Sequence, residues 1–256
     1  MSSSQFFLTL PSNSSLNFYP ENSLSSFTTK LSQSLVTENR YEVGLAEIMY
    51  PHSWDNVRRG GNGVYYRSKP GSPVFSLRIP EGYYKEVNTV IEAIHNIIKK
   101  YDAQALSNVC LKQEELSQKV RVEVKNGAGF AVDDDIAIIL GLPIAATTMI
   151  TSTITGERIA NVDQGLYSLY VYTDLVEEQV IGDTRAPLLR IVPVEGKHGD
   201  FVTKTYERPQ YVPVEKTLID SIQIDLRDDI GHKIHFEGGK VVITLHFRLL
   251  QSPNFA

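Results

Sequence analysis

Within "RDDIGHKIHFEGGKVVITLHFR", residues 227–248, His232, His235 and His246 stand beside Asp228, Asp229 and Glu237. Imidazole and carboxylate are the side chains that ligate transition metals and move protons near neutral pH. Converging on one point, they would make a metal centre of the cupin type or a general acid–base site. Whether they converge depends on the strands that carry them.

"DDIG" is a turn by composition. Gly238-Gly239 can close a two-residue hairpin loop. Glu237 then faces Lys240, Phe236 faces Val241, His235 faces Val242 and Ile234 faces Ile243. In this register Ile234, Phe236, Val241, Ile243, Leu245 and Phe247 share one apolar face. Lys233, His235, Glu237, Lys240, Thr244, His246 and Arg248 share the polar one. A one-residue slip would scramble both faces, so the clean sorting supports the register. His232 and His235, three apart, point to opposite faces. His235 and His246 stand about 13 Å apart at the usual rise per residue. Metal–nitrogen bonds are about 2 Å, so these side chains do not share an ion in this register. A different turn type would shift the register.

No other part of the chain carries a recognised catalytic constellation. There is no G-x-S-x-G elbow, no H-E-x-x-H and no dinucleotide fingerprint. Cys110 is the sole cysteine, which excludes an intrachain disulfide and a cysteine-based zinc site. No histidine lies near it in sequence, and a buried structural thiol is expected. Arg58-Arg59 in "DNVRRGGNG" could meet phosphate or carboxylate, but a solvated loop is the simpler reading. Its glycines are not followed by Lys-Ser/Thr, so it is no P-loop. Asp133, Asp134 and Asp135 lack EF-hand spacing and read as the start of a helix.

The net charge is -5 and no Lys or Arg precedes Lys30. Both argue against nucleic acid as the main partner, because phosphate binding draws on clustered cations. The start "MSSSQFFLTLPSNSS" lacks the charged and apolar regions of a signal peptide. No apolar run is long enough to span a bilayer.

The positioning elements are mostly strands. "QFFLTL", "SSFTTKL", "YEVGLAEIMY", "VYYR" and "VFSLRI" come first. Tyr41, Val43, Leu45 and Met49 are expected on one side of the third. "EVNTVIEAIHNIIKKYDA" is a helix, with Val87, Val90, Ile91, Ile94, Ile97, Ile98 and Tyr101 on one stripe. His95 flanks that stripe. "QKVRVEVKNGAGF" reads as a hairpin turning at Asn126-Gly127. "VDDDIAIILGLP" reads as a short helix stopped by Gly141 and Pro143. Beyond Thr147 the pattern is almost wholly β. Pro193, Pro209 and Pro213 belong at edges or bends, since proline cannot donate to a ladder. Many strands of this length indicate a sandwich, barrel or jelly roll.

Several ordered blocks resemble the minor capsid, or penton, proteins of Polinton (Maverick) elements and adintovirus-like viruses. They are "FFLTLPSNSSLNFYPENSLSSFTTKL", "RYEVGLAEIMYPHSW", "IPEGYYKEV", "LYVYTDLVEEQVIGDTRAPLLRIVPV", "ERPQYVPVEKTLIDSIQIDLRDD" and "FEGGKVVITLHFR". The resemblance runs from near the N-terminus to about Arg248. It implies a mainly β, single jelly-roll β-sandwich over residues 1–256. Residues from about 64 to 146 are then an inserted or appended α+β elaboration with one long and one short helix. It implies a non-enzymatic virion protein at icosahedral fivefold vertices. Its partners would be itself, as a homopentamer, and a double-jelly-roll major capsid protein, with no cofactor, no metal, no direct nucleic acid and no membrane span. The location would be the virion capsid, assembled inside the host cell.

A closed fivefold ring joins one flank of each subunit to the opposite flank of the next. Tyr206, Arg208 and Tyr211, in the proline-punctuated "ERPQYVPV" segment, are the candidate interface residues, since Tyr and Arg are enriched at interfaces. An ordinary edge strand remains open for that segment. Two alternative functions also remain: a glycan- or ligand-binding β-sandwich, and a cupin-like metal-dependent enzyme. The register argument predicts that elemental analysis of the purified protein finds no stoichiometric metal, and one bound ion per chain would overturn it.

Overall fold

The computed structural model describes residues 5–37, 41–143, 148–163 and 166–250. The chain opens with β1 (Gln5–Pro11), β2 (Ser26–Val36) and β3 (Tyr41–Pro51). Next come β4 (Gly63–Arg67), β5 (Phe75–Arg78), α1 (Val87–Tyr101), a 3-10 turn at Ala105–Ser107, β6 (Val109–Gln113), β7 (Val120–Val124), β8 (Gly129–Val132), α2 (Asp134–Ile139) and β9 (Ile154–Thr155). The chain ends with β10 (Ser168–Thr173), β11 (Gln179–Ile181), β12 (Thr184–Ala186), β13 (Leu188–Pro193), β14 (Phe201–Thr205), β15 (Tyr211–Pro213), β16 (Leu218–Arg227) and β17 (Val242–Leu249). Two compact units result: Met1–Trp54 with Leu166–Ala256, and Asp55–Gly165.

The first unit is a jelly roll. One sheet runs β1-β17-β3, with β14 and β15 both on the far edge of β3, and the other runs β13-β10-β16-β2. All the pairings are antiparallel. The chain crosses repeatedly between the sheets, so strands distant in sequence lie side by side. The reason for two sheets is the period-two alternation of apolar residues, which leaves each sheet one face to bury. Ile243, Leu245 and Phe247 of β17, Leu169 and Val171 of β10, and Ile222, Ile224 and Leu226 of β16 are fully buried in one core. Each such side chain contributes about 1.5–3 kcal/mol relative to exposure.

The alternation along 241–248 is as the sequence indicates, but its partner is not. β17 pairs with β1 and β3, and no hairpin closes at Gly238-Gly239. Residues 235–241 form no strand. The Glu237 N–H instead donates to Ser53 O at 3.1 Å, and the Ser12 N–H donates to Val241 O at 2.8 Å. A central place between two strands buries far more apolar surface than a lone hairpin, and so overrides the turn signal. In β3, Val43 and Leu45 face the core as expected, but Ile48 and Tyr50 do so in place of Met49. A bulge between the Thr244–Glu47 and Leu245–Leu45 pairs inserts one residue and reverses the facing.

In the second unit α1 forms where the 3.6-residue stripe places it, with Val87, Val90, Ile91, Ile94 and Ile98 buried and Tyr101 exposed. Lys99 and Lys100 occupy its last turn, where the helix dipole favours cations. His95 is a tether and not merely a boundary residue. Its Nε2 accepts the Leu111 N–H at 3.0 Å, fastening α1 to β6. Burial lowers its pKa and keeps that acceptor free of a proton. Asn126 and Gly127 do adopt positive φ, 54° and 70°. However, β7 pairs with β6 and β9, while β8 pairs with β4. The turn therefore links two sheets and closes no hairpin.

The aspartate run also departs from simple capping. Asp133 is the N-cap of α2 but makes no side-chain cap bond. Its carboxylate accepts the Gly63 N–H at 2.7 Å and the Tyr65 hydroxyl at 3.1 Å. Asp135 accepts three bonds from Arg58, from the backbone N–H, Nε and an Nη, at 3.0, 3.2 and 2.8 Å. Arg58 is therefore a structural clamp on the start of α2, not a solvated loop residue. A Cβ on Gly63 would lie 2.3 Å from an Asp133 carboxylate oxygen, so only glycine admits this approach. Gly63→Ala is expected to cost about 2 kcal/mol, the scale of a charge-assisted hydrogen bond. A lowered denaturant midpoint with unchanged slope would show it.

Candidate subunit-contact surface

The histidines and acids of 228–246 do not gather. Asp228 closes its own turn, accepting the N–H groups of Ile230 at 3.1 Å and His232 at 2.7 Å. Asp225 pairs with Arg227 at 2.7 Å, and Arg227 also donates to Gly231 O at 3.0 Å. His232, His235 and Glu237 are exposed, while His246 lies on the outer face of β17. Among the described residues, no group of three His, Cys, Asp or Glu is placed to hold a metal ion. Cys110 is half-buried, where a buried thiol was expected, and stands opposite Glu123.

The outer face of the β1-β17-β3 sheet carries the better-built cluster. One row across it reads Phe7, His246, Gly44, Tyr211. The Phe7 and His246 rings stack with centroids 4.4 Å apart. The Tyr211 hydroxyl lies 2.6 Å from His246 Nδ1. In the next row Arg248 pairs with Glu42 and places its guanidinium 3.6 Å above the Tyr211 ring. Gly44 makes this packing possible. A Cβ there would lie 2.8 Å from Pro209 Cβ and 2.9 Å from Gln210 O. The missing side chain is the space that Pro209 and Gln210 take as the strap 206–213 runs along the edge of β3.

Of the three sequence-derived candidates, Arg208 alone is exposed. Tyr206 packs against the core of the roll, with the Arg190 guanidinium 3.5 Å from its ring centroid. Its N–H donates to Ala46 O at 2.8 Å. Its hydroxyl is buried without a hydrogen-bond partner among the described residues. Tyr211 is half-buried under Arg248. Both tyrosines therefore form cation–π pairs within the chain, a role spacing alone did not reveal. Arg190 and Arg248 sit on β13 and β17, far from either tyrosine in sequence.

The two edges of the roll differ. Residues 5–37 hold only two charged residues, Glu21 and Lys30. The β2 edge is covered by its own loop: Asn22 bonds both the N–H and the C=O of Thr28, at 2.8 and 2.9 Å, and Ser15 accepts the Lys30 N–H at 2.9 Å. The β1 edge carries no charge, no bulge and no proline before Pro11. Those are the devices that normally blunt an edge strand. Phe7 is 62% exposed and Phe18 63%. Across the roll, Ile191 on β13 and Phe201 on β14 are also exposed.

Nine strands in two antiparallel sheets of this order form a jelly roll, and the comparison with solved structures finds a likeness to that fold. The mavirus penton protein superposes with a TM-score of 0.53 at 12% sequence identity, covering 97% of this chain and 100% of that one. The chain shares that fold along nearly its whole length. The D2–D3 domains of the flagellar cap protein FliD from Escherichia coli align with a TM-score of only 0.22, which carries no argument. No family model and no curated protein sequence matches the chain.

The Tyr206 environment predicts opposite effects for two substitutions. Tyr206→Phe removes an unsatisfied buried hydroxyl and should leave stability unchanged or raise it by about 1 kcal/mol. Arg190→Ala removes the stacked cation and its stem and should lower stability by about 1–2 kcal/mol. Thermal denaturation of both variants beside wild type checks the pair.

Proposed function

We propose that this protein is a minor capsid protein that closes fivefold vertices as a homopentamer, acting through shape and without catalysis. The observation that carries the reading is the jelly-roll fold shared over nearly the full length with the mavirus penton protein. The ordered sequence blocks resembling Polinton and adintovirus pentons support it independently. The chain is one jelly-roll domain in this reading, and the helical unit is an elaboration set into the roll between β3 and β10. Its outside partner is a double-jelly-roll major capsid protein, and its location is the virion.

In the ring, the β1 flank, with Phe7 and with Phe18 beneath the Lys30 ammonium, meets the β13–β14 flank of the next subunit, with Ile191 and Phe201. Arg208 projects from the strap on that second flank, while Tyr206 and Tyr211 hold the strap in shape. Such a contact is heterologous and closes when five copies complete the turn. Multi-angle light scattering, with and without the major capsid protein, is expected to find a mass five times that of the single chain. Negative-stain images should show fivefold rings. Phe7→Glu should reduce ring formation at least tenfold while leaving the fold intact. A protein that stays monomeric under both conditions would remove the reading.

A further inference from the structure

The cluster around His246 has a property that does not depend on what the roll assembles with. Tyr211 approaches Nδ1 at 2.6 Å. With the phenol donating, Nδ1 accepts, and the neutral ring carries its proton on Nε2. That Nε2 is buried without a partner among the described residues. A second proton would turn Nδ1 into a donor, so the Tyr211 hydroxyl would have to turn and accept in place of donating. It would also place a positive charge beside Arg248 on the same face.

We infer that His246 is an acid-sensitive clasp: neutral, it adds a side-chain hold between the strap 206–213 and the β1-β17-β3 sheet on whose edge β15 pairs, and on taking up a proton it loosens that hold. The surrounding charges favour this behaviour. On β17 the facing charge is Arg248, and on β3 it is Glu42, which is committed to Arg248. Glu47, also on β3, lies beyond Gly44 and accepts the Thr205 hydroxyl at 3.0 Å. β1 contributes no titratable group, only the Phe7 ring. The strap itself contributes Tyr206 and Tyr211, together with Glu207 and Arg208, which are exposed. Among the described residues, therefore, no carboxylate bonds to His246 to welcome its proton. The Phe7 face attracts an imidazolium weakly, because that ring is largely in water.

Burial, and then the Arg248 charge, hold the His246 pKa below the ordinary histidine value. An opened strap returns the ring to water and to its ordinary pKa of about 6.5. The open state then binds more protons than the closed one across the window between the two values. The clasp is therefore fully fastened above about pH 6.5, and it weakens as pH falls through the lowered value. With one proton linked, the opening equilibrium grows by up to about tenfold per pH unit in that window.

Hydrogen exchange on the full chain reads this directly. The Tyr206 N–H bonds Ala46 O and the Val214 N–H bonds Tyr41 O, at 2.8 and 2.9 Å, so both amides report the strap. Protection corrected for intrinsic rates should fall at these two sites between pH 7.5 and 5.0, and far less at Val194, which bonds Tyr167 O. His246→Gln keeps an acceptor but cannot titrate, and its strap protection should be independent of pH. The wild-type His246 ring, followed by NMR, should titrate below the ordinary value, a measurement that decides even where the variant folds poorly. Unchanged wild-type protection, an equal fall in His246→Gln, or a ring titrating at or above 6.5 would each overturn the clasp.

Discussion

The register of β17 between β1 and β3 is the constraint on which the roll depends. It places Ile243, Leu245 and Phe247 inside, where all three are fully buried. It places Thr244, His246 and Arg248 outside, where His246 meets Phe7 and Tyr211. A slip of one residue would exchange these sets, burying a guanidinium and exposing a phenylalanine. Burying an unpaired charge costs several kcal/mol, comparable to the whole net stability of many domains. The core and the outer-face cluster are thus two consequences of one alignment.

The second unit solves a related problem with polar staples. Its core combines α1 with short strands of separate sheets, and short strands alone hold shape poorly. Carboxylates supply what strand length does not. Asp133 ties β4 to the start of α2, and Asp135 ties the Arg58 loop to the same helix. Tyr66 and Tyr83 donate to Asp102 and Asp163, both at 2.9 Å. Burial, reinforced by these carboxylates, pushes both phenols up to about 12, so the bonds persist at any ordinary pH. Glycine recurs beside the carboxylates because any side chain would occupy the oxygen's place.

A jelly roll presents two flanks and two outer faces to neighbours. One flank here ends on β1, a strand without charged side chains, and the outer face beside it carries the Arg248–Tyr211 cation–π pair. The polar residues that crowd the sequence near 225–237 are committed one by one to turns, ion pairs and solvent, and His246 to the cluster with Phe7 and Tyr211.

The sequence by itself determined most of the elements and the facing of the regular ones, but not the absence of a strand at 235–241 or the reversed facing past the bulge in β3. Alternation at Leu169, Val171, Ile222, Ile224, Leu226 and 241–248, and the stripe of α1, are local patterns with fixed periods. They survive whatever the neighbours are. Only the tertiary structure decided partners. "GG" at 238–239 and "NG" at 126–127 signal places where the chain can reverse, but a reversal does not oblige its two arms to pair. The choice goes to the arrangement that buries most surface, and for β17 that meant strands far away in sequence. The same long range explains the site. Nothing near Tyr211 announces His246, and nothing near Asp133 announces Gly63. Such pairs are set by the crossing of strands, which no local periodicity encodes.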